Sequence, residues 1–290
     1  MGMDIHGTKL ALYAKTLGVS FANTAMIGRH TLHLSSRELH QQMTAFGYPH
    51  SFPEVNALFQ RNKGYAEPFL EALGAREVLS FDASGYENAT HIHDLNLPID
   101  DAHKGRFTAL IEGGTLEHVF NFPEAIKSCM EMLSVGGHFV GVVPANNFLG
   151  HGFYQFSPEL FFRIFSPENG FEVVKMVVYE DPPNAQWFEV IDPDPIKQRV
   201  ELVNGNPTCL GIIAKKTANM PLFEKGIYQS DYAELWKQDH TATTAYLKEA
   251  GRKYMNLVPT PLRVAFRWLQ RRGPSLRRYN PKYYIKINVP

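Results

Sequence analysis

The chain lacks most of the features that mark exported, membrane-spanning or disulfide-stabilised proteins. Its 290 residues include two cysteines, Cys129 and Cys209, which lie far apart among apolar neighbours. This pattern predicts small buried side chains in a reducing cytoplasm. No apolar run approaches the roughly 20 residues that a membrane-spanning helix needs. The first ten residues, MGMDIHGTKL, hold no apolar signal region, so we expect a cytoplasmic protein.

Acidic residues are missing from the last part of the chain. Residues 251–290 hold ten Lys and Arg and no Asp or Glu, whereas residues 1–250 carry a net charge of −10. Within this tail, TPLRVAFRWLQRRG predicts a helix with one apolar stripe and a basic face. Such a helix could dock on the domain, on a second subunit or on the anionic inner surface of a membrane. We predict no contact with nucleic acid.

Strand and helix patterns alternate along residues 1–217. Apolar runs predict strands at 23–27, 76–84, 89–99, 107–114, 138–144, 171–180 and 208–216. Periodic segments predict helices at 7–17, 35–46, 64–75, 123–133 and 157–165. Ser35 or Ser36 would cap the second helix, with Glu38 placed for a capping box, and the two prolines of YPHSFPEV would end it. The alternation predicts a Rossmann-like α/β domain whose sheet is mostly parallel, with an antiparallel last strand and helices on both faces. We expect insertions at 30–64 and 181–206, and a basic extension over 218–290.

Polar residues and glycines end several of the predicted strands. In sheets of this kind ligands bind at the carboxyl ends of the strands. A nucleoside with a charged tail would need such a polar edge. The residues at these ends are Gly28, Asp82, Asp94, Glu112, Gly113, Gly114 and Pro144.

The central segment FTALIEGGTLEHVFNFPEAIKSCMEMLSVGGHFVGVVP, residues 107–144, resembles the centre of class I S-adenosylmethionine-dependent methyltransferases. The preceding VLSFDAS and HIHDL resemble the second and third strands of that family. Residues 171–180 and 208–216 resemble its closing strands, so the similarity covers roughly residues 20–216. The runs GGTLEHVFNFP and NNFLGHGFYQFSPELF resemble a subgroup associated with cell-surface polysaccharide genes.

The resemblance implies that S-adenosylmethionine is the cofactor. Asp82 would accept hydrogen bonds from the ribose hydroxyls, and Asp94 would hold the adenine amino group. Each residue also has a purely structural interpretation: Asp82 as a cap or surface carboxylate, and Asp94 as an Asx-turn. Glu112 and the two glycines after it would line the methionine end or simply form a tight turn. The implied cofactor set is Gly28, Arg29, Phe81, Asp82, Ala83, Asp94, Leu95, Glu112, Gly113 and Gly114.

The glycine-rich loop of the family is degenerate in this chain. Gly28 is present, but Arg29, His30 and Thr31 follow it where further glycines are expected. Arg29 and His30 would crowd the cofactor unless they point out of the pocket or bind its carboxylate themselves. A binding or scaffold protein without catalysis is therefore an open alternative. A nicotinamide-dependent oxidoreductase is a second alternative, although the glycine fingerprint and a Tyr-x-x-x-Lys pair are missing.

Methyl transfer to a hydroxyl needs an aligned nucleophile and a base. The candidates are Glu117, His118 and His151, where His118 could equally be a helix-cap or core histidine. Hydrogen-bonding groups around His151 suit a polar acceptor, which predicts O-methylation of a sugar, a glycan or another small polar molecule. The predicted substrate-binding residues are Asn146, Asn147, Tyr154 and Gln155. The histidine pairs at 91/93 and 30/33 lack a third ligand, so the sequence predicts no metal site.

Overall fold

The strands and helices follow the apolar patterns of the sequence. A computed structural model describes residues 2–237, 259–262 and 279–290. The strands are β1 (Gly2–Met3), β2 (Asn23–Ile27), β3 (Thr31–Leu32), β4 (Glu77–Asp82), β5 (His91–Ile92), β6 (Phe107–Gly113), β7 (Leu133–Asn146), β8 (Phe171–Glu180), β9 (Trp187–Val190), β10 (Thr208–Lys216) and β11 (Tyr284–Ile287). The helices are α1 (Ile5–Thr16), α2 (Ser36–Ala45), α3 (Phe52–Arg61), α4 (Glu67–Ala72), α5 (Phe122–Met132), α6 (Pro158–Ile164), α7 (Pro193–Ile196) and α8 (Ser230–Lys237).

Nine of these strands form one sheet in the order β5-β4-β2-β6-β7-β10-β8-β9-β11. The five strands from β5 to β7 are parallel to one another. Their order, third-second-first-fourth-fifth along the chain, is that of a doubly wound Rossmann sheet. The Rossmann-like α/β prediction is therefore confirmed, and its consequence is that the ends of β5, β4, β2 and β6 lie side by side.

The prediction of a single antiparallel last strand was wrong. β10 is antiparallel to both β7 and β8, β9 is antiparallel to β8, and β11 is antiparallel to β9. The sheet is thus mixed. β9 arises inside the proline-rich segment 181–206, which the sequence analysis treated as a loop, and β11 pairs with it from the far end of the chain.

The sheet separates two apolar layers because successive side chains of a strand point to opposite faces. On β6, Leu110 contacts the layer under α5 and α6, whereas Ala109 and Ile111 contact the layer under α1 to α4. All three side chains are buried. Helices therefore cover both faces of the sheet, as the alternating pattern predicts.

Local sequence signals explain where α2 begins, whereas α3 was not predicted from the sequence. α2 begins after Ser35, whose hydroxyl accepts a hydrogen bond from the Glu38 backbone N–H while the Glu38 carboxylate accepts from the Ser35 backbone N–H. This is the predicted capping box. We expected prolines to break the chain near residue 50. Instead Ser51 and Glu54 form a second capping box, and Pro53 lies in the first turn of α3, where its missing N–H costs nothing.

The basic C-terminal helix predicted over 260–273 lies mostly outside the described residues. Only residues 259–262 of that segment are described. Docking on a membrane or on a second subunit therefore stays a prediction. No helix in the described part of the chain is long and apolar enough to cross a membrane.

Candidate active site

Four of the predicted cofactor residues lie along one edge of the sheet. Gly28 follows β2, Asp82 ends β4, Asp94 comes two residues after β5, and Glu112 lies at the end of β6. The backbone N–H of Gly28 donates to the Phe81 carbonyl at 2.7 Å, so the first two strand ends are joined directly. The order of the strands thus collects residues that are up to 84 positions apart in sequence.

Asp82 and Asp94 present carboxylates at this edge. Asp82 is half-buried, and one of its oxygens accepts from the Ser84 backbone N–H at 2.9 Å. Asp94 is exposed, and its Oδ1 accepts from the backbone and side-chain amides of Asn96 at 2.9 and 2.8 Å. These bonds lower the pKa of Asp94. In each carboxylate the second oxygen has no protein partner among the described residues, so it can accept from a ligand.

Four other predicted cofactor residues do not offer a free polar side chain. Phe81 and Leu95 are buried in the core, Phe81 with its ring centroid 5.0 Å from that of His91. The Arg29 guanidinium donates to Glu67 Oε1 at 2.7 Å and lies 3.9 Å from the centre of the Tyr65 ring. The guanidinium also donates to the carbonyls of Glu87 and Asn88, so Arg29 is already paired. Ala83 is exposed next to Asp82 and offers only its backbone.

His30 fills the space that a second glycine of the loop would leave open. Its ring is fully buried, and Nε2 donates to the Ile27 carbonyl at 2.8 Å. A Cβ built on Gly113 would come within 3.2 Å of the His30 ring, so a side chain at residue 113 would force the ring to shift. Burial lowers the pKa of His30 to about 4. Nδ1 has no partner among the described residues.

The buried His30 should make folding sensitive to acid. Between pH 6.5 and about 4 the unfolded chain binds a proton at this histidine and the folded chain does not, so stability present above pH 6.5 is lost as the pH falls. The loss should reach about 3 kcal/mol near pH 4. Urea denaturation at pH 7 and 4.5 should show a smaller loss in His30→Gln than in the parent. The control His33→Gln, at an exposed histidine, should lose as much stability between pH 7 and 4.5 as the parent. Equal losses in all three proteins would contradict this role of His30.

A cavity of about 440 Å³ lies beside the end of β6. The N-terminal segment and α1 form one wall, the ends of β6 and β7 form the floor, and the loop that carries His151 closes one side. Its lining residues are Gly2, Met3, Asp4, Gly7, Leu10, Ala11, His33, Ile111, Glu112, Gly113, Gly114, Glu117, His118, Val140, Val142, Val143, Pro144, Phe148, His151, Asp181 and Cys209. Glu112, Gly113 and Gly114 thus connect the cavity to the edge that carries Asp82.

Two buried carboxylates face each other across a single turn. Glu112 is 2% exposed and Glu117 1%. Glu112 Oε1 accepts from the backbone N–H groups of Thr115 and Leu116 at 2.7 and 2.9 Å. Burial raises the pKa of both carboxyls, and the charge of Glu117 raises that of Glu112 further. Glu112 is therefore a structural acceptor at the methionine end of the predicted site, whereas Glu117 is available for chemistry.

The three predicted catalytic side chains meet in the cavity wall. Glu117 Oε1 lies 3.6 Å from His151 Nε2, and the ring centroids of His118 and His151 are 5.3 Å apart. Burial, followed by the neighbouring His151, lowers the pKa of His118. One ligand atom from each of the three residues can be chosen so that all lie within 4.8 Å of one another. The group can therefore take up a proton, orient an acceptor or hold a cation.

The four residues predicted to bind substrate do not line the cavity. Asn146 and Asn147 donate to Asn204, while Tyr154 donates to the Phe120 carbonyl at 2.6 Å. Gln155 accepts from the Phe148 backbone N–H at 2.7 Å. Their polar groups bond within and around the loop that presents His151, and a contact with substrate stays a prediction.

Sequence reasoning missed the contribution of the N-terminus and of Cys209. Gly2 and Met3 form β1, which pairs with β3 and brings Asp4 to the cavity. This contact depends on a strand of two residues, for which the sequence carries no periodic signal. Cys209 is partly buried against the core and also lines the cavity. Burial raises the pKa of its thiol, so a reactive thiolate is disfavoured.

Comparisons with known proteins give only a distant likeness. No protein-family model matches the chain, and no curated protein is significantly similar to it. Among solved structures, the chain is similar to a Listeria monocytogenes protein provisionally assigned as an S-adenosylmethionine-dependent methyltransferase, with 12% identity and a TM-score of 0.41. That match covers 73% of this chain and 99% of the other.

Two further solved structures are similar at the same level. The N-methyltransferase NodS from Bradyrhizobium japonicum, in complex with S-adenosylhomocysteine, has 11% identity and a TM-score of 0.36, covering 71% and 85% of the two chains. The branched-chain polyamine synthase from Thermus thermophilus, in complex with N4-aminopropylspermidine and 5′-methylthioadenosine, has 13% identity and a TM-score of 0.38. That match covers 77% of this chain and 59% of the synthase. Because these TM-scores are low, the fold assignment rests on the strand order of the sheet and not on these likenesses.

Proposed function

We propose that the chain is an S-adenosylmethionine-dependent methyltransferase that acts on a small polar acceptor. The observation that carries the proposal is the position of Asp82, Asp94 and Gly28 at the ends of three adjacent parallel strands. The sequence resemblance requires these residues in this order, and the sheet brings them to one edge. A cavity large enough for an acceptor begins at Gly113 and Gly114, next to that edge.

The residues at the edge fit the nucleoside half of the cofactor. Asp82 and Asp94 each offer a carboxylate oxygen to a hydroxyl or an amino group. The methionine half has fewer partners, because Arg29 is paired with Glu67 and His30 occupies the space above Gly113. We therefore assign binding chiefly to the two aspartates and to the backbone of Gly28 and Gly114.

The cofactor would supply an electrophilic sulfonium methyl group. The ring nitrogen of His151 that does not face Glu117 would take the proton from the acceptor hydroxyl as the hydroxyl oxygen attacks the methyl group. The buried Glu117 would orient the imidazole from 3.6 Å. The acceptor class stays a prediction from the sequence, which expects O-methylation of a sugar or glycan and a place in polysaccharide synthesis. A screen of sugars, phenols and amines with radiolabelled methyl donor would test it.

Calorimetric titration with S-adenosylmethionine, S-adenosylhomocysteine and NAD tests the proposal itself. We expect the first two to bind and NAD not to bind. Asp82→Ala should weaken binding about ten- to hundredfold, because a hydrogen bond to a charged group contributes roughly 1.5–3 kcal/mol. The matched control Asp101→Ala removes an exposed carboxylate away from the strand ends and should leave affinity unchanged. Equal affinity of parent and Asp82→Ala would refute the assignment, and absence of binding by the parent would favour a scaffold protein.

A further inference from the structure

Glu117, His118 and His151 form a compact group of possible metal ligands. Their ligand atoms lie within 4.8 Å of one another, and the Glu117 Oε1 to His151 Nε2 distance is 3.6 Å. In a tetrahedral zinc site with bonds of 2.0–2.1 Å, neighbouring ligand atoms are about 3.4 Å apart. Glu117 and His151 are thus almost at that spacing. His118 and His151 are exposed, so their rings have room to adjust around an ion.

Glu117 carries an unsatisfied oxygen into this group. Its side chain is 1% exposed, and Oε2 has no hydrogen-bond partner among the described residues. The other buried carboxylate of the cavity, Glu112, accepts two backbone N–H groups. A buried carboxylate without partners is costly to ionise, and a metal cation is a partner that would remove this cost. The two histidines provide neutral nitrogen ligands on the open side.

The backbone fixes Glu117 and the His151 loop relative to each other. The Glu117 carbonyl accepts from the Phe153 backbone N–H at 2.8 Å. A side chain on Gly152 would place its Cβ 2.8 Å from that carbonyl oxygen, and one on Gly114 would approach Glu117 Oε1 to 3.3 Å. Both glycines therefore leave the room that this approach of two segments requires. The backbone therefore fixes the position of Glu117 relative to the His151 loop.

We infer that Glu117, His118 and His151 bind a divalent transition-metal ion in the wall of the cavity. Two imidazoles and one carboxylate suit Zn²⁺, Co²⁺ or Ni²⁺ rather than Mg²⁺ or Ca²⁺, which prefer oxygen ligands. Three protein ligands leave a fourth position open, as in zinc sites that bind water or substrate. The metal site does not depend on the proposed methyl transfer. If both hold, His151 would act on the acceptor through the ion and not as a free base.

Equilibrium dialysis of the full chain against Zn²⁺, with metal determined by elemental analysis, tests the inference. We expect one Zn²⁺ per chain and a higher Tm with Zn²⁺ than with Mg²⁺. Glu117→Gln, His118→Ala and His151→Ala should each weaken binding by more than about 100-fold, beyond the loss seen when outer-shell partners are removed. Co²⁺ loading should give a visible spectrum that Glu117→Gln abolishes.

His91→Ala is the matched control for this experiment. The rings of His91 and His103 are 4.6 Å apart, so this pair is the competing histidine site in the described part of the chain. We expect the control to bind Zn²⁺ as the parent does. Circular dichroism shows whether each variant is folded. The substitution Glu117→Gln is chosen because it preserves the shape of the side chain. Absence of stoichiometric Zn²⁺ binding by the parent would overturn the inference. So would retention of binding in folded Glu117→Gln, or its loss in the His91 control.

Discussion

His151→Ala is expected to lower methyl transfer by about 10²–10⁴-fold while cofactor affinity stays unchanged. His151 lies in the cavity wall, 3.6 Å from Glu117, whereas Asp82 does not line the cavity. Its side chain is half-exposed, so it can reach an acceptor without rearrangement of the core. Whether the imidazole accepts the proton itself or holds a metal ion that activates the acceptor, its removal leaves the hydroxyl protonated.

The measurement is the single-turnover rate with S-adenosylmethionine and the best acceptor from the screen, together with a calorimetric Kd for the cofactor. Glu117→Gln should also lose rate, because it removes the charge that orients the imidazole. His91→Ala changes a histidine on β5 that is not in the cavity and should keep the parent rate. A His151→Ala enzyme that turns over as fast as the parent would exclude both roles for this residue.

Local sequence signals predicted the elements whose partners are close in the chain or whose pattern is strong. The capping box at Ser35 located α2, and the apolar runs located β2, β4, β6, β8 and β10 within one or two residues. In contrast, β9 and β11 pair residues about a hundred positions apart, and each strand has four residues. Such short strands acquire their conformation from the partner strand, so their own sequence does not reveal them.

The sequence predicted which residues of the candidate site follow the strand ends, but it did not predict where their side chains point. The positions of Asp82 and Asp94 followed from the strand pattern, because parallel strands end at one edge. The orientation of the Arg29 side chain did not follow from this pattern, because its partner Glu67 lies on α4, 38 residues away. The same holds for His151, whose proximity to Glu117 and His118 depends on the packing of α5, β7 and the loop that follows β7. Each of these contacts is tertiary, and a single sequence carries no direct record of it.

A buried aromatic cluster ties the unpredicted strand β9 to the N-terminal helix. Trp187 is 2% exposed, and its ring stacks on Tyr179 with centroids 5.2 Å apart. Trp187 Nε1 donates to His6 Nδ1 at 3.0 Å, and His6 Nε2 donates to the Pro182 carbonyl at 3.0 Å. One neutral tautomer of His6 satisfies both bonds, and burial lowers the pKa of His6, which favours that neutral form. The cluster therefore joins α1, β8 and β9.

Trp187→Ala should accordingly destabilise the protein by about 3–5 kcal/mol, because it leaves a large cavity and a buried His6 acceptor without its donor. Trp187→Phe should cost less, about 1–3 kcal/mol, since it restores most of the packing but not the hydrogen bond. Trp236, which is 66% exposed, provides the control, and Trp236→Ala should change stability by no more than about 0.5 kcal/mol. Urea denaturation followed by circular dichroism measures all three. Equal midpoints for Trp187→Ala and Trp236→Ala would show that β9 is not anchored to α1 through this cluster.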